Sequence, residues 1–145
     1  MSDKAPTLNC NHEQPIIGNG YKVRRLTPLE CERLQNFPDG WTDIPDYTDQ
    51  NGKVKKASDS ARYKALGNSI ALPPWRFVLA SISERLPPDA TLGSLFDGIG
   101  GFPLIWEELH GRGTARWASE IEPFPIAVTQ YHFAEEEVQG HAATG

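Results

Sequence analysis

The run Leu95-Phe96-Asp97-Gly98-Ile99-Gly100-Gly101 constrains this chain more than any other feature. Thr91–Phe96 reads as a buried strand. Gly98, Gly100 and Gly101 make a tight loop. Phe102–His110 reads as a helix with Pro103 in its first turn, where the missing N–H costs little. Thr114–Ala118 reads as a second strand that runs into Ser119 and Glu120, and Pro123–Phe133 as a further helix. Strand, glycine turn, helix and strand make up a βαβ nucleotide site, because glycines let the backbone approach a ligand closely. A carboxylate at the tip of the second strand can accept hydrogen bonds from two ribose hydroxyls. Glu120 stands about twenty residues beyond the loop, as that geometry requires. Taken alone, the glycine pattern fits a ligand-free turn equally well, and the spacing does not choose between a dinucleotide and an adenosyl ligand.

Upstream, Tyr21–Arg25 reads as a short strand and Thr27-Pro28-Leu29-Glu30 as a helix start. Threonine caps, proline takes the first helical position, and the glutamate reaches back to complete a capping box. The helix is expected to run to about Gln35, where Asn36-Phe37-Pro38-Asp39-Gly40 stops it. Residues 42–60 read as a polar loop or hairpin around Asn51-Gly52, made locally basic by Lys53, Lys55 and Lys56. After Lys64-Ala65-Leu66-Gly67-Asn68-Ser69, the apolar residues Leu72, Trp75, Leu79, Ile82 and Leu86 recur at helical spacing and predict one buried stripe. Pro73 and Pro74 fit only its first turn, and Pro87-Pro88 ends it. The chain divides into a flexible lead at 1–20, a segment at 21–86, a βαβ segment at 91–133 and a polar tail at 134–145, all within one structural domain.

The net charge of −5 argues against a chain that grips DNA by itself, since such binders carry a basic surface. Cys10 and Cys31 form no CxxC pair, so no metal site is expected, and Cys31 reads as a small core residue on the capped helix. Two cysteines in 145 residues do not make a disulfide framework, and no signal peptide or apolar span is visible. These features point to a cytoplasmic setting.

The residues around the loop choose among the ligands. Ser94–Glu107 followed by Trp117–Val128 resembles motifs I and II of the DNA cytosine-C5 methyltransferase family. Lys64–Ile70 resembles its motif X, and Arg24–Asp39 its motif IX, with Asn36 where glycine is usual. Asparagine tolerates the left-handed conformation that such a turn needs. The resemblance covers roughly residues 21–133 and implies an α/β fold, a partial S-adenosylmethionine-dependent methyltransferase sheet of Rossmann type. By position it implies that Phe96, Gly98, Ile99, Gly100 and Gly101 line S-adenosyl-L-methionine. It implies further that Glu120 holds the ribose, that Ile121 packs on the adenine where many members have tryptophan, and that Asn68 and Ser69 touch the methionine end. Asn68 and Ser69 also suit the simpler role of helix caps. Arg24 and Arg25 suit a solvated strand end, and Arg33 a supporting role beneath the recognition region.

The family runs from motif I to motif X, whereas here IX and X precede I and II, a circularly permuted order. The family's Pro-Cys nucleophile and Glu-Asn-Val motif do not occur, so no catalytic residue is assigned within this chain. The resemblance therefore implies a split enzyme of a prokaryotic or phage-like restriction–modification type. A complementing chain would bring the cysteine and engage double-stranded DNA, and association with that chain or as a homodimer is expected. The alternatives are an inactive truncated relic, a module that binds S-adenosylmethionine or a partner without catalysis, and a nicotinamide-binding dehydrogenase subunit.

Overall fold

The computed structural model describes residues 16–18 and 23–133. Cys10, Asn19, Gly20, Tyr21 and the tail at 134–145 lie outside the described residues. The elements in order are β1 (Ile16–Gly18), β2 (Val23–Arg25), α1 (Pro28–Gln35), β3 (Tyr47–Thr48), β4 (Val54–Lys55), α2 (Asp59–Gly67), α3 (Leu72–Ser83), β5 (Leu92–Leu95), α4 (Gly101–His110), β6 (Ala115–Ser119) and α5 (Pro123–Phe133). The strands pair in three two-stranded sheets. β1 with β2 and β3 with β4 are antiparallel, while β5 and β6 are parallel and joined across α4. Helices and strands alternate, so the fold is α/β in class.

Local chemistry accounts for the helix ends. Thr27 accepts the Glu30 N–H at 3.2 Å while the Glu30 carboxylate accepts the Thr27 N–H at 2.8 Å, so the expected capping box is formed. Asn36 ends α1 at φ 65°, the left-handed conformation expected of it. Gly52, at φ 74°, turns the β3–β4 hairpin.

Four expectations are corrected. Ile16–Gly18, assigned to the lead, pairs with β2 as a strand. Residues 59–67, read as loop and turn, form α2: Ser58 caps it by accepting the Ala61 N–H, and Ala65 and Leu66 are buried. Of the predicted α3 stripe only Leu72 and Leu79 are buried, while Trp75, Ile82 and Leu86 are exposed. Periodicity marks an apolar face but not what covers it. β5 is not a buried strand either. Among its residues only Ser94 is buried, and Leu95 is 63% exposed, because the sheet has two strands and α4 packs against it on one side only. The Trp117 ring lies across Gly93, where a Cβ would fall 2.3 Å from it.

The core gathers Phe37, Trp41 and Ile44 from the turn after α1, Ala65 and Leu66 from α2, and Leu72 and Leu79 from α3. Ile99 and Ile105 join them from the glycine loop and α4, and Phe124 and Val128 from α5. Residues before and after the 84–90 connection therefore pack into one cluster, which sets Ile70 and Leu72 against Gly101 of the glycine loop. Within the turn, Glu32 of α1 is fully buried and accepts N–H bonds from Gly40 at 2.8 Å and Thr42 at 2.9 Å, with Arg62 at 3.2 Å.

Candidate nucleotide site at the glycine loop

The loop sits at the C-terminal ends of β5 and β6, where open parallel sheets hold ligands. Gly98 at φ 62° and Gly100 at φ 84° adopt conformations that side chains rarely take. A Cβ on Gly98 would meet nothing within 4 Å, so its α face is open. On Gly100 it would fall 2.7 Å from the Phe133 ring. Phe96 is itself left-handed, at φ 53° and 87% exposed. Ile121 is 79% exposed beyond the end of β6. The strand ends thus present two uncovered apolar side chains near an open glycine.

Glu120 joins the two strand ends. Its Oε2 accepts the Gly98 N–H at 2.7 Å, and its Oε1 accepts the N–H groups of Ile121 at 2.6 Å and Glu122 at 3.0 Å. Burial pushes the carboxyl up, but the Glu122, Ile121 and Gly98 peptides outweigh that and hold it below the ordinary glutamate value. A carboxylate offers about four acceptor sites. Three are used, so one site on Oε2 remains where the sequence argument expected room for two ribose hydroxyls. Engaging both requires Gly98 to release its bond.

The methionine-side corner departs from expectation in detail. Asn68 is the C-cap of α2, and α3 begins at Leu72 after Ala71 as N-cap, with no side-chain cap bond, so Asn68 and Ser69 do not cap the helix that follows. Asn68 is exposed and Ser69 half-buried, and neither side chain forms a hydrogen bond among the described residues. Gly101 carries this corner against the loop: a Cβ there would lie 3.1 Å from Ile70 and 3.2 Å from Leu72. Lys64 pairs with Glu122 at 2.9 Å, which fastens α2 beside the Glu120 turn. Phe96, Gly98, Glu120 and Ile121 therefore stand at one end of the parallel pair, and Ile70, just after Asn68 and Ser69, packs on Gly101 beside them. Ile99 does not join them. Its side chain is fully buried in the core, and its carbonyl accepts the Trp41 indole N–H at 2.7 Å.

Several neighbours carry no local sequence signal. Asp97 is buried beneath the loop, its Oδ1 accepting the Ser94 hydroxyl at 2.6 Å and its Oδ2 without a partner among the described residues. Burial raises its carboxyl above the ordinary aspartate value, against the Ser94 hydrogen bond, and the nearby Glu120 charge adds to the rise. Thr129 donates to the Gly98 carbonyl at 3.3 Å. Trp41 and His132 stack at 3.6 Å. A shallow groove of about 290 Å³ beside them is lined by Trp41, Leu104, Glu107, Arg112, His132 and Phe133, none of which the sequence marked as a site. Cys31 is half-buried against the core as a free thiol, and Arg33 pairs with Asp39 at 2.5 Å on the surface. No cluster of metal-ligating side chains occurs among the described residues, and no helix there is long and apolar enough to cross a membrane.

A glycine loop between parallel strands, a strand-tip carboxylate bonded to it and the α2–α3 connection packed on Gly101 stand together on an α/β scaffold. The family described as C-5 cytosine-specific DNA methylase matches residues 2–84, and the chain belongs to that family. The match ends before β5, so the loop and Glu120 lie beyond it. Among curated relatives, the chain is 44% identical over 104 residues to the DNA N-6-adenine-methyltransferase of Escherichia phage P1, covering 57% of this chain and 13% of that protein. It is 34% identical over 97 residues to the type II methyltransferase M.HpaII of Haemophilus parainfluenzae, covering 67% of this chain and 21% of that one. With M.HgiCI of Herpetosiphon aurantiacus it shares 34% over 75 residues, or 52% of this chain and 14% of the relative. The chain thus spans between an eighth and about a fifth of these relatives' lengths. The phage relative's name specifies N6 of adenine and the family description C5 of cytosine. Both describe DNA methylation.

Proposed function

We propose that this chain supplies the S-adenosyl-L-methionine-binding portion of a DNA cytosine-C5 methyltransferase and works with a complementing chain that brings the nucleophilic cysteine. The observation that carries the reading is the bond from the Gly98 N–H to Glu120, which joins the glycine loop to the strand-tip carboxylate beside exposed Phe96 and Ile121. The described residues fit an adenosyl ligand. Phe96 and Ile121 offer apolar faces for the adenine, Oε2 of Glu120 accepts a ribose hydroxyl, and Gly98 leaves room for close approach. Asn68 and Ser69 present uncommitted polar groups to the amino-acid end. When bound, the cofactor supplies an electrophilic methyl group. This chain's residues orient it and shield its apolar parts, and a thiolate from the complementing chain attacks the flipped-out base. Cytosine is preferred to adenine because the family match covers more than half the chain. The uncovered face at Leu95 and Trp117 and the unpaired edge of the β5–β6 sheet support association, since exposed edges recruit strands.

The test is calorimetric titration of the full chain with S-adenosylmethionine, with NAD as the competing ligand and Glu120→Ala as the control. Binding of the methyl donor alone, weakened at least thirtyfold by Glu120→Ala, supports the reading. That loss corresponds to about 2 kcal/mol for a charged acceptor and the loop order it maintains. Equal affinity of the variant, or preference for NAD, refutes it. DNA methylation appearing only on addition of a Pro-Cys-bearing chain tests the split arrangement.

A further inference from the structure

A loop containing three glycines has little capacity to hold its own shape, because glycine loses more conformational freedom on ordering than any other residue. Its order must come from groups that grip its backbone. Glu120 and Thr129 both hold the Gly98 peptide. The next peptide is held from a different part of the chain, by the Trp41 indole, whose N–H donates to the Ile99 carbonyl at 2.7 Å across 58 positions in a buried setting.

That indole has little freedom to move. His132 stacks on it at 3.6 Å with the planes 3° apart, Phe37 lies 5.8 Å away, and Phe133 meets it edge-on at 6.0 Å. The His132 ring Nε2 lies 2.8 Å from the Trp41 carbonyl, which ties the same residue's backbone to α5. Phe133 in turn closes over Gly100. Glu32 holds the turn that carries Trp41, through the Gly40 and Thr42 N–H groups.

We propose that Trp41 is a positioning residue for the ligand loop, its indole N–H fixing the Ile99 carbonyl so that Gly98 and Gly100 keep the curvature that receives the nucleoside. The ligand consequence rests on the function proposed above, whereas the brace itself does not. Phenylalanine at 41 keeps a ring for the stack and removes the N–H, leaving a buried carbonyl without a donor, which is costly.

The test compares Trp41→Phe with Tyr63→Phe. The control also removes one side-chain donor to a carbonyl, that of Leu26 at 2.5 Å, away from the loop. Amide exchange at residues 98–101 and S-adenosylmethionine affinity are measured for both, alongside thermal midpoints. Trp41→Phe is expected to speed loop exchange about tenfold and weaken binding about tenfold, the change for one buried hydrogen bond. Tyr63→Phe is expected to lower the midpoint without either effect. Loop exchange in Trp41→Phe no faster than in Tyr63→Phe overturns the brace. Faster loop exchange in a protein whose wild type binds no S-adenosylmethionine upholds the brace and removes the cofactor reading.

Discussion

Replacing Glu32 with glutamine should be among the most damaging single-atom changes in this protein. The Glu32 carboxylate is fully buried. One oxygen accepts the Gly40 N–H at 2.8 Å, and the other accepts the Thr42 N–H at 2.9 Å, the Thr42 hydroxyl and Arg62 at 3.2 Å. Glutamine keeps the shape but turns one oxygen into a donor. If the amide oxygen stays with Thr42 and Arg62, the amide nitrogen faces the Gly40 N–H, and an opposed pair of donors costs about 1–3 kcal/mol. Arg62 meanwhile loses its buried counter-charge. Stripping one partner from a buried ion pair costs roughly 3–5 kcal/mol. Arg62 also reaches Asp43 at 3.9 Å and Asp59 at 3.8 Å, both largely exposed, which softens that loss. The expected net destabilisation is about 3 kcal/mol, or a drop in midpoint of roughly 6–12 °C for a chain of this size. Urea and thermal unfolding followed by far-ultraviolet circular dichroism measure it. Arg33→Gln, which breaks the exposed pair with Asp39, serves as the reference and should cost under about 1 kcal/mol. A Glu32→Gln loss no larger than the Arg33→Gln loss would refute the claim that this buried carboxylate organises the turn.

Two further outcomes follow from local geometry. Gly100→Ala should cost about 2–4 kcal/mol, because a left-handed alanine is strained and its Cβ would meet the Phe133 ring at 2.7 Å; Gly98→Ala, with open space at its Cβ, should cost only about 1 kcal/mol by denaturant titration. The Arg24 side chain, followed by the Thr27 N–H, holds the Glu30 carboxyl down at about 2. A folded-state value depressed in this way gives stability that is present above the ordinary glutamate range and is lost as pH falls through about 2. Wild-type and Glu30→Gln unfolding curves, apart at pH 6, should therefore converge towards pH 2.

The extent to which sequence revealed structure followed the range of the interactions. α1 was legible to the residue because Thr27, Pro28, Glu30 and Asn36 act within one turn of one another. The β5–α4–β6 unit was legible because its glycines and apolar runs fix a strand, a turn and a helix in order. α2 was not, since Asp59–Gly67 is mostly polar and buries only Ala65 and Leu66; the Ser58 cap was its one local signal. The stripe on α3 was visible, but its partners are a property of the assembled chain: Trp75 is only partly covered, edge-on to Phe102, and Ile82 stays exposed. At the loop, the glycine turn after β5 and the place of Glu120 just beyond β6 could be read from spacing. The claim of Ile99 to the ligand could not be checked that way, because the Trp41 bond and core packing that withdraw it come from distant segments. Glu32 reads in sequence as an ordinary helix-surface charge, and only the fold brings Arg62 to it.

The connection between the two halves has a consequence for how such a chain can be built. Residues 84–89 are exposed, and the backbone bonds of the join stay local: the Glu84, Arg85 and Leu86 N–H groups turn back onto the end of α3, and the Ala90 N–H donates to the Pro87 carbonyl. Leu72, Leu79, Ile99, Ile105 and Val128 meet in one interior on either side of it. The tether therefore sets the proximity of two parts whose fit is already written in their side chains. A chain nicked at Pro88 should hold together, and genes that thread these parts in either order should arrive at the same interior.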